Sequence, residues 1–256
     1  MPLRCVYTDL DGTLLGRGAS LLRDGDGRFS LLGARALEAC FRAEVEVVPV
    51  SGRTRAMLHE DCRLMGLSSY VYELGGGMSI DGEDTRLAGE HSYERIAESG
   101  APQRLLEHFR GRLEYHAPWH EGRSVTHLLR GLVDLDEANE LLPDDLQLVD
   151  NGEISPKPSL PEPVHAYHLL PRGISKAAGV SAHMRARGYA REECIAVGDS
   201  QEDVGMGEHV ARFFLVANAK AADPRAEVTE GGWGEGFYEA VVRAIAEGRT
   251  AAAAWS

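Results

Sequence analysis

The chain has 256 residues, 43% of them hydrophobic, and a formal charge of −13. That length suits one large domain or a domain with an insert, and the apolar fraction is enough for a real core. The negative charge disfavours nucleic-acid backbones and anionic membranes as partners, which it would repel, but leaves small phosphorylated molecules open, since one local cation or metal reverses the field.

The first elements follow a regular rhythm. RCVYTDL (4–10) reads as a buried strand, LLGARALEACFRA (31–43) as a helix with Leu32, Ala36, Ala39 and Cys40 on one side, and VEVVPV (45–50) as a second strand ending at Ser51-Gly52-Arg53. A helix follows with Met57, Leu58, Cys62 and Met65 on one face and Gly66 as its stop, then a third strand, YVYEL (70–74), closed by Gly75-Gly76-Gly77. A β-α-β-α-β order argues a parallel sheet with helical crossovers. The long stretch 16–30, with Asp24-Gly25-Asp26-Gly27, reads as a hairpin turn rather than a calcium loop, because the later ligands are missing.

From about residue 80 to 168 the rhythm breaks, and seven of the ten histidines fall there. Helix-like pieces (102–113, 136–145) alternate with strand-like pieces (124–131, 146–151, 164–170), and a Pro-rich connector or hairpin loop spans 151–163. This stretch is read as an inserted α+β domain. The histidines show no zinc-site spacing. The first rhythm then resumes: a helix at 175–188 ended by Gly188, strands at 193–199 and 211–218, a closing helix at 235–248 and a frayed tail at 250–256. The expected division is 1–80 with 169–256 as a core and 81–168 as the insert. Cys5, Cys40, Cys62 and Cys194 lie far apart without a CxxC pair and read as buried apolar side chains. No leader and no membrane-spanning apolar run is seen, so a cytoplasmic protein is expected.

Polar clusters sit where the strands end: Asp9 with Asp11, Ser51 with Arg53, Glu73, and Asp199 with Asp203. The carboxyl ends of parallel strands share one edge, where ligands bind. Four carboxylates in one crevice call for a cation, and oxygen-rich, imidazole-poor ligation favours Mg²⁺. A phosphate monoester adds further negative charge and asks for a lysine. The chain has three, Lys157, Lys176 and Lys220, and Lys176 opens the helix at the rim of the same crevice. Ser51, with Gly52 behind it, suits a phosphate oxygen or the N-cap of the next helix.

In order, DLDGT, SGR, a lone lysine and GDSQED resemble the four motifs of the haloacid dehalogenase-like phosphohydrolases, and the position of the insert is similar to their Cof-type branch with an α+β cap. The resemblance implies a Rossmann-like parallel α/β core and an inserted cap that selects the substrate. It implies Asp9 as the nucleophile that forms an aspartyl-phosphate, and Asp11 as acid and then base, its proton retained by a crowd of carboxylates. Mg²⁺ would bind Asp9, the Asp11 carbonyl, Asp199 and Asp203, while Ser51, Gly52, Arg53 and Lys176 hold the phosphoryl group. The expected substrate is a small phosphorylated metabolite, a sugar phosphate first. TDLDGTLL, VVPVSGRT, ELGGGM and AVGDSQED are also similar to mannosyl-3-phosphoglycerate phosphatases. A phosphomutase or phosphotransferase and a non-catalytic metabolite-binding protein are the alternatives, and the oligomeric state is left open. Two positions depart from the family pattern: Glu202 and Leu74 stand where many relatives carry Asn. Arg123, His127 and Arg130 are candidates to read a distal carboxylate or hydroxyl from the cap.

Overall fold

The structure, a computed structural model, describes residues 2–253, with side chains described to residue 248. In chain order the first half runs β1 (Cys5–Thr8), α1 (Leu32–Arg42), β2 (Glu46–Pro49), α2 (Arg55–Met65), β3 (Ser69–Tyr72), β4 (Gly77–Ile80), β5 (Glu83–Arg86), α3 (Ser92–Glu98), α4 (Ala101–His108) and β6 (Leu113–Tyr115). The second half runs β7 (His127–Gly131), α5 (Leu135–Glu140), β8 (Leu146–Glu153), β9 (His165–Pro171), α6 (Lys176–Arg187), β10 (Cys194–Gly198), α7 (Gln201–Val204), β11 (Arg212–Leu215), β12 (Glu227–Val228) and α8 (Trp233–Ala253).

The central sheet has the order β12-β11-β10-β1-β2, and each described pair is parallel. Its inner strands β1 and β10 are short and fully buried, as parallel strands between helices must be, while the edge strand β12 is open to solvent. Apolar side chains of α1, α2 and α8 pack with Val6, Val47, Ile195 and Val197 on one side. Val180 and Met184 of α6 pack with Tyr7, Val48, Ala196 and Leu215 on the other. Local sequence explains the helix ends. Thr54 caps α2 through its hydroxyl, Ser175 caps α6, and Gly66 and Gly188 end these helices in the left-handed region at φ 73° and 66°.

The insert carries a four-stranded antiparallel sheet, order β6-β7-β9-β8, covered by short helices. A separate apolar cluster fills it, with Ile96, Leu105, Phe109, Leu129, Leu148 and Leu169 among its members. Residues 151–153 of the expected Pro-rich connector still belong to β8, and 154–163 form the loop of the β8–β9 hairpin. Among the described residues no helix is long and apolar enough to cross a membrane.

Several sequence expectations need correction. YVYEL is not a full member of the parallel sheet: β3 pairs antiparallel with β4 in a β3-β4-β5 sheet and meets β2's edge only through a Val50–Val71 bridge. The chain can turn back because Glu73 and Leu74 both take positive φ, 47° and 57°, and Gly75 follows at 95°. The helix expected at 102–113 stops at His108, since Gly111 at φ 78° leads the chain into β6. Helices α3 and α7 were not foreseen. At the C-terminus α8 runs on through Ala253 in place of a frayed tail from 250, and the rest of that expected tail, 254–256, lies outside the described residues.

Candidate active site

Strand order brings the acidic clusters together, because β1 and β10 are neighbours and both end at the same edge. Asp9 follows β1 and Asp199 follows β10. Lys176, 2% exposed, bridges Asp9 to Asp203 of α7. Its Nζ donates to Asp9 Oδ1 at 2.6 Å and to Asp203 Oδ1 at 2.7 Å. Asp203 Oδ2 accepts from the backbone N–H groups of Asp199 and Ser200, both at 3.0 Å, and from the Ser200 hydroxyl at 2.8 Å. Every oxygen of Asp203 is therefore engaged, and it fixes both the lysine and the Asp199 loop. The Thr13 hydroxyl donates to Asp199 Oδ1 at 3.0 Å. Gly12 has to be glycine: its φ is 95°, and a Cβ there would lie 2.4 Å from Asp199 Oδ2.

The charges in this crevice are poorly compensated. Burial pushes Asp9 well up against the pull of Lys176, and Asp203 and Asp199 push it the same way. Burial, then Asp203, raises Asp199 to about 6. Burial alone would pull Lys176 down, but Asp203 and Asp9 outweigh it and hold the ammonium well above its ordinary range. Oxygens of Asp9, Asp199 and Asp203 lie within 4.8 Å of one another. Three clustered carboxylates, with Asp9 and Asp199 raised and no imidazole or thiolate among them, fit a hard divalent cation such as Mg²⁺. A second cluster, Cys5, Glu46 and His183, lies elsewhere in the core. There Glu46 is already satisfied by Ser69, Arg187 and Tyr189, so that carboxylate needs no ion.

Ser51 lies two residues beyond the end of β2 and is buried. It is not the helix cap, a role that falls to Thr54 three residues on. Its Oγ accepts from the Arg53 N–H at 3.3 Å, which leaves the hydroxyl proton for a ligand. The Arg53 guanidinium turns to carboxylates: Nε and Nη2 donate to Asp11 at 2.9 and 2.6 Å, and Nη1 to Asp61 at 2.6 Å. Asp11 is half exposed, and the charge that grips it is this cation rather than the expected crowd of carboxylates. Asp9 sits with Lys176 and Asp203 in the buried cluster, whereas Asp11 sits on its outer side.

The insert forms a ceiling over this loop. Glu73, fully buried, accepts from the N–H groups of Ser124, Val125 and Thr126 and from the hydroxyls of Ser124 and Thr126. This clasp fixes Arg123, whose Nη1 donates to the Gly52 carbonyl and to Thr126 Oγ1, both at 3.0 Å. Burial lowers Arg123 to about 10, with Glu73 pulling the other way, so it stays a cation at neutral pH. The ring of His168 bonds Thr126 through Nδ1 at 3.1 Å, and burial, then Arg123 and Lys176, keep it neutral. A Cβ on Gly52 would meet His168 Nε2 at 3.0 Å and the Asn151 side-chain nitrogen at 3.3 Å. His127 and Arg130 are used inside the insert, with Tyr115 and Tyr93 and with Glu114 respectively. Burial raises Glu202, which feels Lys176 from the core and Asp150 from the insert.

Sequence reasoning missed Asn218, His168 and Asn151. Asn218 Nδ2 donates to the Gly12 carbonyl at 2.8 Å and its Oδ1 accepts from the Trp233 N–H at 2.7 Å, tying α8 to the Asp9 loop. The strand-end rule contained that signal, since 211–218 closes on this asparagine. His168 and Asn151 gave none, as their strands read only as parts of an insert.

This fold and this site define a class. A family profile described as haloacid dehalogenase-like hydrolase matches residues 160–223, which include Lys176, Asp199 and Asp203. A phosphoglycolate phosphatase from Haloarcula marismortui is 30% identical over 242 residues, 92% of this chain and 95% of that protein. One from Methanoculleus marisnigri is 27% identical over 247 residues, 93% of this chain and 95% of that protein. In fold, the sucrose-phosphatase of Synechocystis sp. PCC6803, solved with sucrose and phosphate, is similar with a TM-score of 0.66 at 17% identity, covering 95% of this chain and 98% of that one. The chain belongs to the haloacid dehalogenase-like hydrolases, and it is a phosphatase.

Proposed function

We propose that this protein is a Mg²⁺-dependent phosphomonoesterase for a short phosphorylated acid of the phosphoglycolate kind, working through an aspartyl-phosphate on Asp9. The carrying observation is the buried Asp9–Lys176–Asp203 chain beside Asp199. The relatives named phosphoglycolate phosphatase, similar along nearly their whole length, support the choice of acid over the sugar phosphate favoured by sequence alone. Residues 1–80 and 169–256 act as the catalytic core and 81–168 as the cap.

The Asp9 carboxylate attacks phosphorus, the bond from phosphorus to the ester oxygen breaks, and Asp11 gives its proton to the leaving oxygen. Asp11 then takes a proton from water, whose oxygen attacks phosphorus and releases phosphate and free Asp9. Arg53 has to loosen its bidentate hold for Asp11 to swing inward. Lys176 holds Asp9 Oδ1, so the other oxygen is the one that attacks, and the ammonium offsets the charge of the incoming phosphate. The Ser51 hydroxyl and the N–H groups of its loop orient the phosphoryl oxygens. Asp9, Asp199 and the Asp11 carbonyl would hold Mg²⁺, with Asp203 behind them. When bound, the ion supplies positive charge to the transferring group.

The test is phosphate release from phosphoglycolate, sugar phosphates, phosphoglycerates and an aryl phosphate, with Mg²⁺, with EDTA and with Asp9→Asn. Release should need Mg²⁺ and fall by at least about 10³-fold in Asp9→Asn. Release that persists in Asp9→Asn rejects the aspartyl-phosphate route. A sugar phosphate as best substrate rejects the assignment of the acid.

A further inference from the structure

One buried cation near the crevice is left over from the chemistry just described. Arg123 is a cap residue whose side chain is 3% exposed. Its Nε and Nη1 are spent on the Trp119, Gly52 and Thr126 oxygens. Among the described residues Nη2 has no acceptor within hydrogen-bond distance. The nearest carboxylate, Glu73, stands 4.0 Å from Nη1, and its two oxygens already accept five hydrogen bonds from residues 124–126. Nη2 is not one of the buried atoms left without a partner, so it stays open to solvent or a ligand, and an anion arriving there would complete the fork.

Position says what kind of anion. Arg123 rests on the Gly52 carbonyl, next to Ser51, the residue that would hold the phosphoryl group in the proposed reaction. His168 and Asn151 lie over the same glycine, close enough that a Cβ there would touch both. The ceiling thus lies directly on the phosphate loop, and a group that reaches Arg123 has to sit within a few bonds of the ester oxygen. The planar fork of an arginine suits a carboxylate.

We propose that Arg123 is the specificity-determining residue, binding a carboxylate one or two carbons from the ester oxygen and so selecting short phosphorylated hydroxy acids over neutral esters. This rests on the phosphatase reading and assigns its selectivity to one side chain. Glu73 is a positioning residue: by gripping residues 124–126 it fixes the height of Arg123 above Gly52.

The experiment compares phosphoglycolate with 2-hydroxyethyl phosphate, the same ester with the carboxylate replaced by a hydroxymethyl group, in the full chain. Wild type should prefer phosphoglycolate by roughly 10²-fold in kcat/KM. In Arg123→Met that preference should collapse to within about threefold, chiefly through a higher KM for phosphoglycolate. Arg123→Lys, which keeps the charge without the fork, should retain part of it, and it carries the same comparison should Arg123→Met fail to fold. Titration of Asp9→Asn with phosphoglycolate and with inorganic phosphate reads the same effect without turnover. The ratio of the two Kd values should move toward unity when Arg123→Met is added. Equal use of both esters by wild type, or a preference that survives Arg123→Met, overturns the assignment while Asp9-dependent hydrolysis stands. Absence of Asp9-dependent hydrolysis with either ester overturns the phosphatase reading and this inference together.

Discussion

Lys176 shows how a single side chain can serve catalysis and stability at once. It is buried, and its partners are two buried carboxylates. Removing one member of such a group strands the others in a medium that solvates them poorly. In EDTA at pH 7.5, Lys176→Met should cost about 3–5 kcal/mol in urea unfolding. Asp203→Asn in the same chain should recover part of that loss, since one of the stranded charges is gone. A cost below about 1 kcal/mol would mean that the site relaxes and admits water. The positions of Asp9, Asp11 and Asp199 were legible in the sequence because each lies just beyond a strand end, where parallel topology gathers residues, and Asp203 follows on α7, the short helix after β10. It did not make the Arg53–Asp11 pair legible. Those residues are 42 positions apart, and the family pattern assigned arginine to the phosphate.

Elements show the same division between local and long-range information. The stops of α2 and α6 were readable, because a left-handed glycine at a helix end is a local signal. Helix α3 was not: it has seven residues, no capping side chain and only Ser92 and Ile96 buried. The triple glycine was seen as a stop, and only the fold tells what each member stops for. Gly75 sits at φ 95°, and a Cβ there would lie 2.0 Å from the Ser175 carbonyl oxygen, directly before Lys176. A Cβ on Gly76 would meet the Val125 side chain at 2.7 Å, and one on Gly77 the Tyr72 ring at 2.2 Å. A backbone oxygen cannot move aside as a side chain can. Gly75→Ala should therefore destabilise by about 3 kcal/mol or more and reduce turnover by displacing the start of α6. Gly76→Ala crowds the Val125 Cβ as well as its methyls, at 2.9 and 2.7 Å, so Val125 has to shift as a whole, and it should cost about 1–3 kcal/mol. Urea unfolding of the two variants checks the order, and a Gly76→Ala that costs more than Gly75→Ala contradicts this view of the junction.

At the scale of the whole molecule, pH acts on stability through two opposed sets of buried groups. Burial lowers His183 to about 4 and lowers His127 and His168 as well. A histidine whose folded pKa lies below its unfolded value near 6.5 contributes stability that is complete above 6.5 and is lost as pH falls, because the unfolded chain takes up the proton first. For His183 alone the loss by pH 4 is roughly 3 kcal/mol. Asp9, Asp199 and Glu202 act in the other direction. Their folded pKa values are raised, so the folded chain takes up protons first, and Asp199, at about 6, regains stability as pH falls from 7 toward 4. Lys176 is raised from an already high value, so its contribution is constant from pH 5 to 8. In EDTA, then, acidification from pH 7.5 to 5 should lower the Tm only partly, the carboxylates offsetting the histidines. Saturating Mg²⁺ should raise the Tm most at pH 7.5, where Asp9 and Asp199 give up their protons most readily, and least at pH 5, where protons compete for the same oxygens. The Mg²⁺ curve should consequently fall more steeply with acid than the EDTA curve. Tm values at pH 5, 6, 6.5 and 7.5 at constant ionic strength, with and without the ion, measure both slopes. A Mg²⁺-induced rise as large at pH 5 as at pH 7.5 would show that the ion binds somewhere other than these carboxylates, and would remove Asp199 from the proposed ligand set.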